Sequence, residues 1–169
     1  MFLFIGRIVK DKGVNELLTA FEQVLLIKSN VKLLLIGNYE DERDPISEQA
    51  KSIITINKNI ISAGFQSDVR PFLSIANCFV FPSYREGFPN VVLQAGAMEK
   101  CCIVTDINGS NEIVVHNETG IIVPPKDSNS LYLAMKKVLV DETKECQIMG
   151  KKARERIVSL YEQMKVWEL

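Results

Sequence analysis

The chain has 169 residues, of which 47% are hydrophobic and 24% are charged. This length supports one well-buried core and is too short for two ordinary domains, so we expect a single domain over residues 1–169. The net charge of −1 excludes a global attraction to nucleic acid or to an anionic membrane surface, so any bound phosphate must be held by a local site.

The apolar runs and the cysteines predict the compartment. The longest apolar runs have the length of a strand and fall far short of the roughly 20 residues that a membrane span needs. Met1 leads directly into a strand without a signal-peptide pattern. The four cysteines show no metal-ligand spacing and are expected to be reduced and structural: Cys78, Cys101, Cys102 and Cys146. These features predict a soluble, cytoplasmic protein without a membrane span.

Six short apolar runs alternate along the chain with longer segments of helical periodicity. The runs predict strands at residues 2–5, 31–36, 60–63, 78–81, 102–105 and 121–123. The periodic segments predict helices at residues 14–28, from 44–45 onward, at 67–76, from 89 onward, at 128–140 and at 142–160. Strands too apolar to have a solvent-exposed face, joined by crossover helices, predict an α/β fold with a doubly wound parallel sheet and helices on both faces.

The loop after the first predicted strand is basic and is bracketed by Gly6 and Gly13. It carries Arg7, whose guanidinium is a planar fork, and Lys12, whose ammonium is a mobile point charge. Together these cations suit the unlike oxygens of a diphosphate. A solvated basic loop with no ligand is the alternative for this stretch.

The loop after the fourth predicted strand carries Glu86 and leads into a helix expected to have Pro89 at its first position. In a parallel sheet this loop lies on the same rim as Arg7 and Lys12. Glu86 is suited to accept hydrogen bonds from sugar hydroxyls, and Gln94 follows on the second helical turn. Four backbone N–H groups are placed to donate to phosphate or sugar oxygens: those of Gly87, Phe88, Asn90 and Val91. The alternative is a surface glutamate near a helix N-terminus, where negative charge is favourable.

Two common nucleotide motifs are absent from the sequence. No Gly-x-Gly-x-x-Gly follows any predicted strand, and no Gly-Lys-Ser/Thr phosphate loop occurs. Hydride transfer and nucleotide hydrolysis therefore lose most of their support.

Several motifs follow one another along nearly the whole chain. They are Gly6-Arg7 with Lys12-Gly13, Asp68-Val69 with Ala76-Asn77, Pro82-Ser83 with Glu86-Gly87-Phe88-Pro89-Asn90-Val91-Val92-Leu93-Gln94-Ala95, Thr105-Asp106 with Gly109 and Glu112-Ile113-Val114, and Thr119-Gly120-Ile121-Ile122-Val123-Pro124-Pro125. This combination closely resembles the C-terminal half of retaining GT-B glycosyltransferases of family 4, or group 1, which includes sucrose-synthase-like and bacterial surface-polysaccharide enzymes. The resemblance implies a Rossmann-like nucleotide-sugar-binding domain, one half of a GT-B fold.

The resemblance also implies roles for individual residues. Arg7 and Lys12 match the pair that grips the donor diphosphate and stabilises the leaving group, and Glu86 matches a glutamate that contacts the donor sugar. These are the three expected catalytic residues. The expected donor-binding positions are Gly6, Gly64, Phe65, Gly87, Phe88, Asn90, Val91 and Gln94.

The implied reaction transfers a sugar from a UDP-, GDP- or ADP-linked donor to an acceptor with retention at the anomeric carbon. Surface polysaccharide or glycoconjugate biosynthesis is the expected setting. The family needs no obligatory metal or other cofactor, which agrees with the lack of an Asp-x-Asp pair suited to a diphosphate. Two cations and a helix start are expected to neutralise the leaving group instead.

The chain departs from the family pattern in four places. Gln94 stands where the family usually has a second glutamate that holds the ribose hydroxyls, and Glu99 and Cys101 replace a common Gly and Pro. His116 matches no catalytic position and is expected on the surface. No residues precede the first strand to form the N-terminal acceptor domain, so we expect a fragment or split subunit that supplies the donor half and is inactive alone.

Two other functions compete with this interpretation. A non-catalytic nucleotide-sugar-binding module or subunit is consistent with Gln94 and with the missing acceptor domain. A response-regulator-like or generic doubly wound interaction domain needs no Arg-Lys pair and would leave Arg7, Lys12 and Glu86 unrelated in space.

Overall fold

Six parallel strands form one sheet in the computed structural model, which describes residues 1–161 except 41, 43, 142 and 143. The strands are β1 (Phe2–Ile5), β2 (Leu33–Ile36), β3 (Ile60–Ser62), β4 (Cys78–Phe81), β5 (Cys101–Thr105) and β6 (Gly120–Val123). Their spatial order is β3-β2-β1-β4-β5-β6, and each neighbouring pair is parallel. The order reverses between β1 and β4, which makes this the switch point of a doubly wound sheet and confirms the predicted fold class.

The described residues contain seven α-helices and a 3-10 turn at Lys10–Lys12. The helices are α1 (Val14–Ile27), α2 (Glu48–Ile56), α3 (Arg70–Ile75), α4 (Asn90–Ala97), α5 (Ser110–Ile113), α6 (Ser128–Leu139) and α7 (Glu145–Tyr161). Helix α1 packs against α6 and α2, whereas α4 packs against α7 and α5. These two groups of helices cover the sheet.

Burial explains why the strands read as continuous apolar runs. Every residue of β2, β4 and β5 is buried, since helices cover both faces of the central sheet. The edge strand β3 differs, because Ile61 and Ser62 are exposed there. Leu17, Leu18 and Phe21 of α1 are fully buried, at the helical spacing that predicted this helix.

Three predicted helix starts are wrong, and a side-chain cap explains the first of them. The helix expected from 44–45 begins at Glu48, because Ser47 caps it by accepting a hydrogen bond from the Ala50 amide at 3.1 Å. The helix expected from 67 begins at Arg70, whose amide donates to the Asp68 carboxylate at 3.0 Å. Pro89 is the N-cap of α4 in extended backbone, and Asn90 is the first helical residue.

The remaining element bounds differ from the predictions by one to three residues. β2 begins at 33, where its pairing with β1 begins, rather than at 31. β3 ends at 62 rather than at 63. β5 and β6 each begin one residue early, at 101 and 120, while α1 and α6 each end one residue early. α7 ends at 161, and the predicted start at 142 lies outside the described residues.

Two departures from the family pattern affect the turn between α4 and β5. Glu99, which replaces the common Gly, has a φ of 59°, in the left-handed region where glycine is favoured. Helix α7 packs tightly on this turn, because a Cβ atom at Gly150 would lie 2.1 Å from the Glu99 carbonyl oxygen. Cys101, which replaces the common Pro, is buried as the first residue of β5.

All four cysteines are buried free thiols. Burial raises the pKa of the Cys102 thiol. Contact with the Cys101 thiol, followed by burial, raises the pKa of Cys146. The thiols of Cys102 and Cys146 therefore stay protonated near neutral pH, which agrees with the predicted structural role. In the part of the chain that the structure describes, no helix combines the length and apolarity that a membrane span requires.

The N-cap of α2 gives a direct test of the revised helix start. Ser47→Ala should lower the free energy of unfolding by about 1 kcal/mol, since the Ala50 amide loses its acceptor. Denaturant unfolding followed by circular dichroism measures this change. Ser52→Ala, at an exposed position inside α2, is the control and should stay within about 0.5 kcal/mol of the parent chain. Equal effects of the two substitutions would contradict the assigned cap.

Candidate active site

The carboxyl ends of β1 and β4 carry two loops that contact each other. The Tyr84 amide of the β4–α4 loop donates to the Asp11 carbonyl of the β1–α1 loop at 2.9 Å. The Arg85 guanidinium also binds the Asp11 carboxylate, with Nε 3.0 Å from Oδ2. The β1–α1 loop is thus held against the start of the β4–α4 loop, at the switch point of the sheet.

Gly13 makes this close approach of the loops possible. Its φ of 70° lies in the left-handed region, and a Cβ atom at this position would lie 2.0 Å from the Pro82 carbonyl oxygen. A side chain therefore has neither the backbone conformation nor the space it needs. The glycine at the end of the basic loop acts as a packing contact between two loops.

Lys12 and Glu86 meet across these loops in an ion pair between Nζ and Oε1. Their side chains are only 13% and 15% exposed, so both charges are largely removed from water. The Lys12 ammonium also lies 5.9 Å from the centroid of the Phe81 ring. The structure therefore brings together two of the three predicted catalytic side chains, as a parallel sheet requires. A generic interaction domain, which would leave them unrelated in space, loses its support.

Ser83 and Thr105 support Glu86 from beneath, and sequence reasoning assigned neither a role. The Ser83 hydroxyl lies 2.7 Å from Glu86 Oε1, and the Thr105 hydroxyl donates to the Ser83 carbonyl. Ser83 is fully buried, and Thr105 is only 1% exposed. The sequence signal for Ser83 and Thr105 was a hydroxyl residue near the end of an apolar run, a pattern common where strands lead into loops.

Arg7 lies on the same rim with a different partner. Its guanidinium is half-exposed and binds the Glu40 carboxylate, with Nη1 2.7 Å from Oε2. A hollow of about 340 Å³ separates it from the neighbouring loop and is lined by Arg7, Val9, Asp11, Asp44 and Arg85. Arg7 and Arg85 thus place two guanidinium groups on its wall. Sequence reasoning assigned no role to Arg85.

The N-terminus of α4 is placed beside Glu86. The amides of Val92 and Leu93 donate to the Pro89 carbonyl at 3.0 and 3.5 Å, so the amides of Asn90 and Val91 precede the first intrahelical bonds. Such groups, with the positive end of the helix dipole, favour an anion. Gln94 has an exposed side chain on the same helix.

The β4–α4 loop is packed at two further points. Phe88 is 43% exposed and contacts the ring of Tyr161 at the end of α7, with centroids 5.5 Å apart. A Cβ atom at Gly109 would lie 2.3 Å from the Gly87 carbonyl oxygen. The predicted Gly87 and Phe88 positions are therefore fixed against α7 and the β5–α5 loop.

Three of the predicted donor-binding positions, Gly6, Gly64 and Phe65, lie at the same edge of the sheet. The Gly6 amide donates to the Ile36 carbonyl at 2.9 Å at the end of β1. The Gly64 carbonyl, just after β3, accepts a hydrogen bond from the Gly37 amide at 2.9 Å. Phe65 is 69% exposed. These positions follow the carboxyl ends of strands on one side of the switch point, with Glu86 and α4 on the other.

A second polar cluster adjoins the site, and sequence reasoning did not find it. The Tyr84 hydroxyl donates to Glu16 Oε1 at 2.7 Å, and the Lys126 ammonium lies 4.9 Å from the Tyr84 ring centroid. Burial, followed by this hydrogen bond to a carboxylate, raises the pKa of Tyr84. Tyr84 is therefore held neutral between α1 and the β6–α6 loop, where it anchors the loop that carries Glu86.

Other candidate positions do not join this site. His116 is exposed, as expected, and its Nδ1 accepts a hydrogen bond from the Ile122 amide at 2.9 Å. A hollow of about 510 Å³ opens beside Phe2, Asn77 and Cys101, at the amino ends of the strands. Ligands of open parallel sheets bind at the carboxyl ends, so we place the site there. In the described ranges, no group of three His, Cys, Asp or Glu side chains is arranged to hold a metal ion.

The sequence matches the family model described as "Glycosyl transferases group 1" over residues 1–156. It is 37% identical over 165 residues to the capsular polysaccharide biosynthesis glycosyltransferase CapM of Staphylococcus aureus. That match covers 98% of this chain and 43% of CapM, so the chain spans about half the length of this curated relative.

Solved structures share the fold. The C-terminal domain of the group 1 glycosyltransferase LpcC from Francisella tularensis matches with a TM-score of 0.85 and 23% identity, covering 96% of this chain and 86% of that one. Anabaena HepE in complex with UDP matches with a TM-score of 0.87 and 18% identity, covering 99% of this chain and 47% of that one. The expected likeness to the C-terminal half of GT-B glycosyltransferases is thereby confirmed.

The contact at Gly13 predicts a large effect on stability. Gly13→Ala should lower the free energy of unfolding by about 2–3 kcal/mol, because the added carbon strains the backbone and collides with the Pro82 carbonyl. Thermal and denaturant unfolding measure the loss. Gly87→Ala is the matched control, since an added Cβ there meets no atom within 4 Å. A Gly13→Ala chain as stable as Gly87→Ala would show that the two loops are not in tight contact.

Proposed function

Since this chain belongs to the group 1 glycosyl transferases, we propose that it forms the donor-binding half of an enzyme that transfers a sugar from a nucleotide-diphosphate sugar to an acceptor. We propose retention at the anomeric carbon, and a reaction that requires no metal. Bacterial surface polysaccharide or glycoconjugate synthesis is the proposed setting, because CapM is named for capsular polysaccharide biosynthesis.

The contact between Lys12 and Glu86 is the observation that carries this proposal. An ammonium group has three N–H donors, so Lys12 can bind a diphosphate oxygen while it still contacts Glu86. Glu86 in turn offers carboxylate oxygens to the hydroxyls of a sugar attached to that diphosphate. The cation Lys12 thus suits the diphosphate of a nucleotide sugar, and the anion Glu86 suits its sugar.

The surrounding charges suit a departing nucleoside diphosphate. Arg7 and Arg85 line one hollow on the same rim together with Asp11 and Asp44, and the amides of Asn90 and Val91 begin α4. As the bond to the sugar breaks, negative charge grows on the diphosphate, and fixed cations and amide dipoles stabilise it without reorganisation. Lys12, Arg7 and the start of α4 therefore replace the metal ion in our proposal.

We propose UDP as the first nucleotide to test, with GDP and ADP as alternatives. HepE, which shares the fold, was solved in complex with UDP. The exposed Phe65 and the Gly64 carbonyl lie beyond the pair, after β3, where the base is expected.

A second domain is part of the proposed enzyme. This chain covers 86% of the LpcC C-terminal domain but 43% of CapM. We propose that an N-terminal domain binds the acceptor and closes over the rim that carries Lys12 and Glu86. The present chain alone is then expected to bind the donor nucleotide and to transfer no sugar. We also propose a cytoplasmic location, which the four buried free thiols support.

A non-catalytic nucleotide-sugar-binding module is the second candidate function. Gln94 favours it, since an amide on α4 offers the ribose hydroxyls no charge-assisted hydrogen bond. Transfer activity in the presence of the acceptor domain would decide against it.

Titration of the chain with UDP, GDP and ADP by calorimetry tests the proposal. Lys12→Ala should weaken the affinity for the preferred nucleotide about tenfold, because a largely buried cation is lost from the diphosphate site. Lys10→Ala is the control, since Lys10 is exposed on the same turn and should change the affinity less than about twofold. Absence of saturable binding for all three nucleotides at millimolar concentration would refute an intact donor site.

Gln94 provides a gain-of-affinity prediction. Gln94→Glu should tighten UDP binding about threefold to tenfold, because a carboxylate makes charge-assisted hydrogen bonds to the two ribose hydroxyls. The gain should shrink with 2′-deoxy-UDP, the control ligand, because only the 3′ hydroxyl remains. An equal gain for UDP and 2′-deoxy-UDP would show that residue 94 does not contact the 2′ hydroxyl.

A further inference from the structure

We propose that Ser83 is a positioning residue that fixes the Glu86 carboxylate for the donor sugar, and that Thr105 holds Ser83 in place. This inference rests on the proposed donor-binding function. It assigns roles to two hydroxyl groups that lie behind the predicted site residues.

Three acceptors surround the Ser83 hydroxyl, and their distances define the direction of its hydrogen bond. Its hydroxyl lies 2.7 Å from Glu86 Oε1, 3.1 Å from the Arg85 carbonyl and 3.4 Å from the Asp11 carbonyl. A hydroxyl has one proton to donate, and the shortest of these contacts is to the only charged acceptor. Ser83 is fully buried, so water does not compete for this proton. The hydroxyl therefore donates to Glu86.

The two oxygens of the Glu86 carboxylate differ in their contacts. Lys12 and Ser83 both contact Oε1 of Glu86, and neither contact involves Oε2. Two donors on one oxygen fix the rotation of the carboxylate and leave the other oxygen outside both hydrogen bonds. Oε2 is then the atom oriented toward a sugar hydroxyl.

When a diphosphate binds, Lys12 is shared between Glu86 and phosphate oxygens. Its hydrogen bond to the Glu86 carboxylate therefore weakens. The Ser83 hydroxyl has no such competing ligand, because it is buried beneath Glu86. Ser83 therefore keeps Glu86 in place while Lys12 serves the phosphate.

Ser83 is itself anchored by Thr105. Thr105 is the last residue of β5, and its buried hydroxyl donates to the Ser83 carbonyl. β4 and β5 are paired in parallel, with Phe81 beside Val104, so Ser83 continues alongside the end of β5. The relay from Thr105 to Ser83 to Glu86 thus ties the carboxylate to the buried end of an interior strand of the sheet. Precise sites are commonly held on such elements.

The test compares the affinities of UDP and of UDP-sugars for the same chain. The ratio Kd(UDP)/Kd(UDP-sugar) isolates the contribution of the sugar, which Glu86 is proposed to contact. UDP-glucose, UDP-galactose and UDP-N-acetylglucosamine are the probes, and the sugar with the largest ratio is used for the variants. Ser83→Ala should reduce this ratio about threefold to tenfold and leave Kd(UDP) within about twofold.

Further variants separate positioning from structure. Glu86→Gln shows how far the ratio Kd(UDP)/Kd(UDP-sugar) falls when the Glu86 carboxylate is lost. Thr105→Val should reproduce part of the Ser83→Ala effect, whereas Thr105→Ser, which keeps the hydroxyl, should restore the parent ratio. A merely structural defect would weaken UDP and UDP-sugar alike and leave the ratio unchanged. Thr105→Val also carries the test if Ser83→Ala fails to fold.

The outcomes distinguish this inference from the proposed function. If Glu86→Gln lowers the ratio and both Ser83→Ala and Thr105→Val do not, the positioning role is overturned while the donor site stands. If Glu86→Gln leaves the ratio of the parent chain unchanged, Glu86 does not hold the sugar and the inference is overturned. If UDP does not bind but GDP or ADP does, the same ratio is measured with that nucleotide and its sugars. If none of UDP, GDP and ADP binds, the proposed function fails and the inference fails with it.

Discussion

The close approach of two backbone segments, Gly13 against the Pro82 carbonyl, is the constraint on which the rest of the site depends. It brings the β1–α1 loop within reach of the β4–α4 loop, so that an ammonium from the first meets a carboxylate from the second. The sheet alone places these loops on one rim because its order reverses between β1 and β4. Contact at side-chain range requires the glycine as well.

Burial gives the ion pair its chemical value. Charges that are mostly removed from water interact more strongly than the same charges at the surface, and they are less screened by salt. Arg7 contrasts with this pair, because its guanidinium is half-exposed and engaged with Glu40. The rim therefore combines a largely buried cation, Lys12, with a half-exposed one, Arg7.

The sequence predicted the sheet well because buried parallel strands are continuous apolar runs, and each of the six runs became a strand. Helix starts were less predictable, since they depend on single residues such as Ser47, which caps α2, and helical periodicity does not locate these residues. The meeting of Lys12 with Glu86 followed from topology. The pairing of Arg7 with Glu40 and the relay through Ser83 did not, because contacts between distant polar side chains leave no periodic signal.

Helix α7 joins regions that the sheet keeps apart. It begins near Cys101 at the amino end of β5, lies close to the turn at Glu99 along its middle, and ends with Tyr161 against Phe88. Its 17 residues extend about 25 Å. One helix therefore spans the distance from the amino end of β5 to the loop that carries Glu86, and the packing of Phe88 depends on where α7 is seated against Glu99.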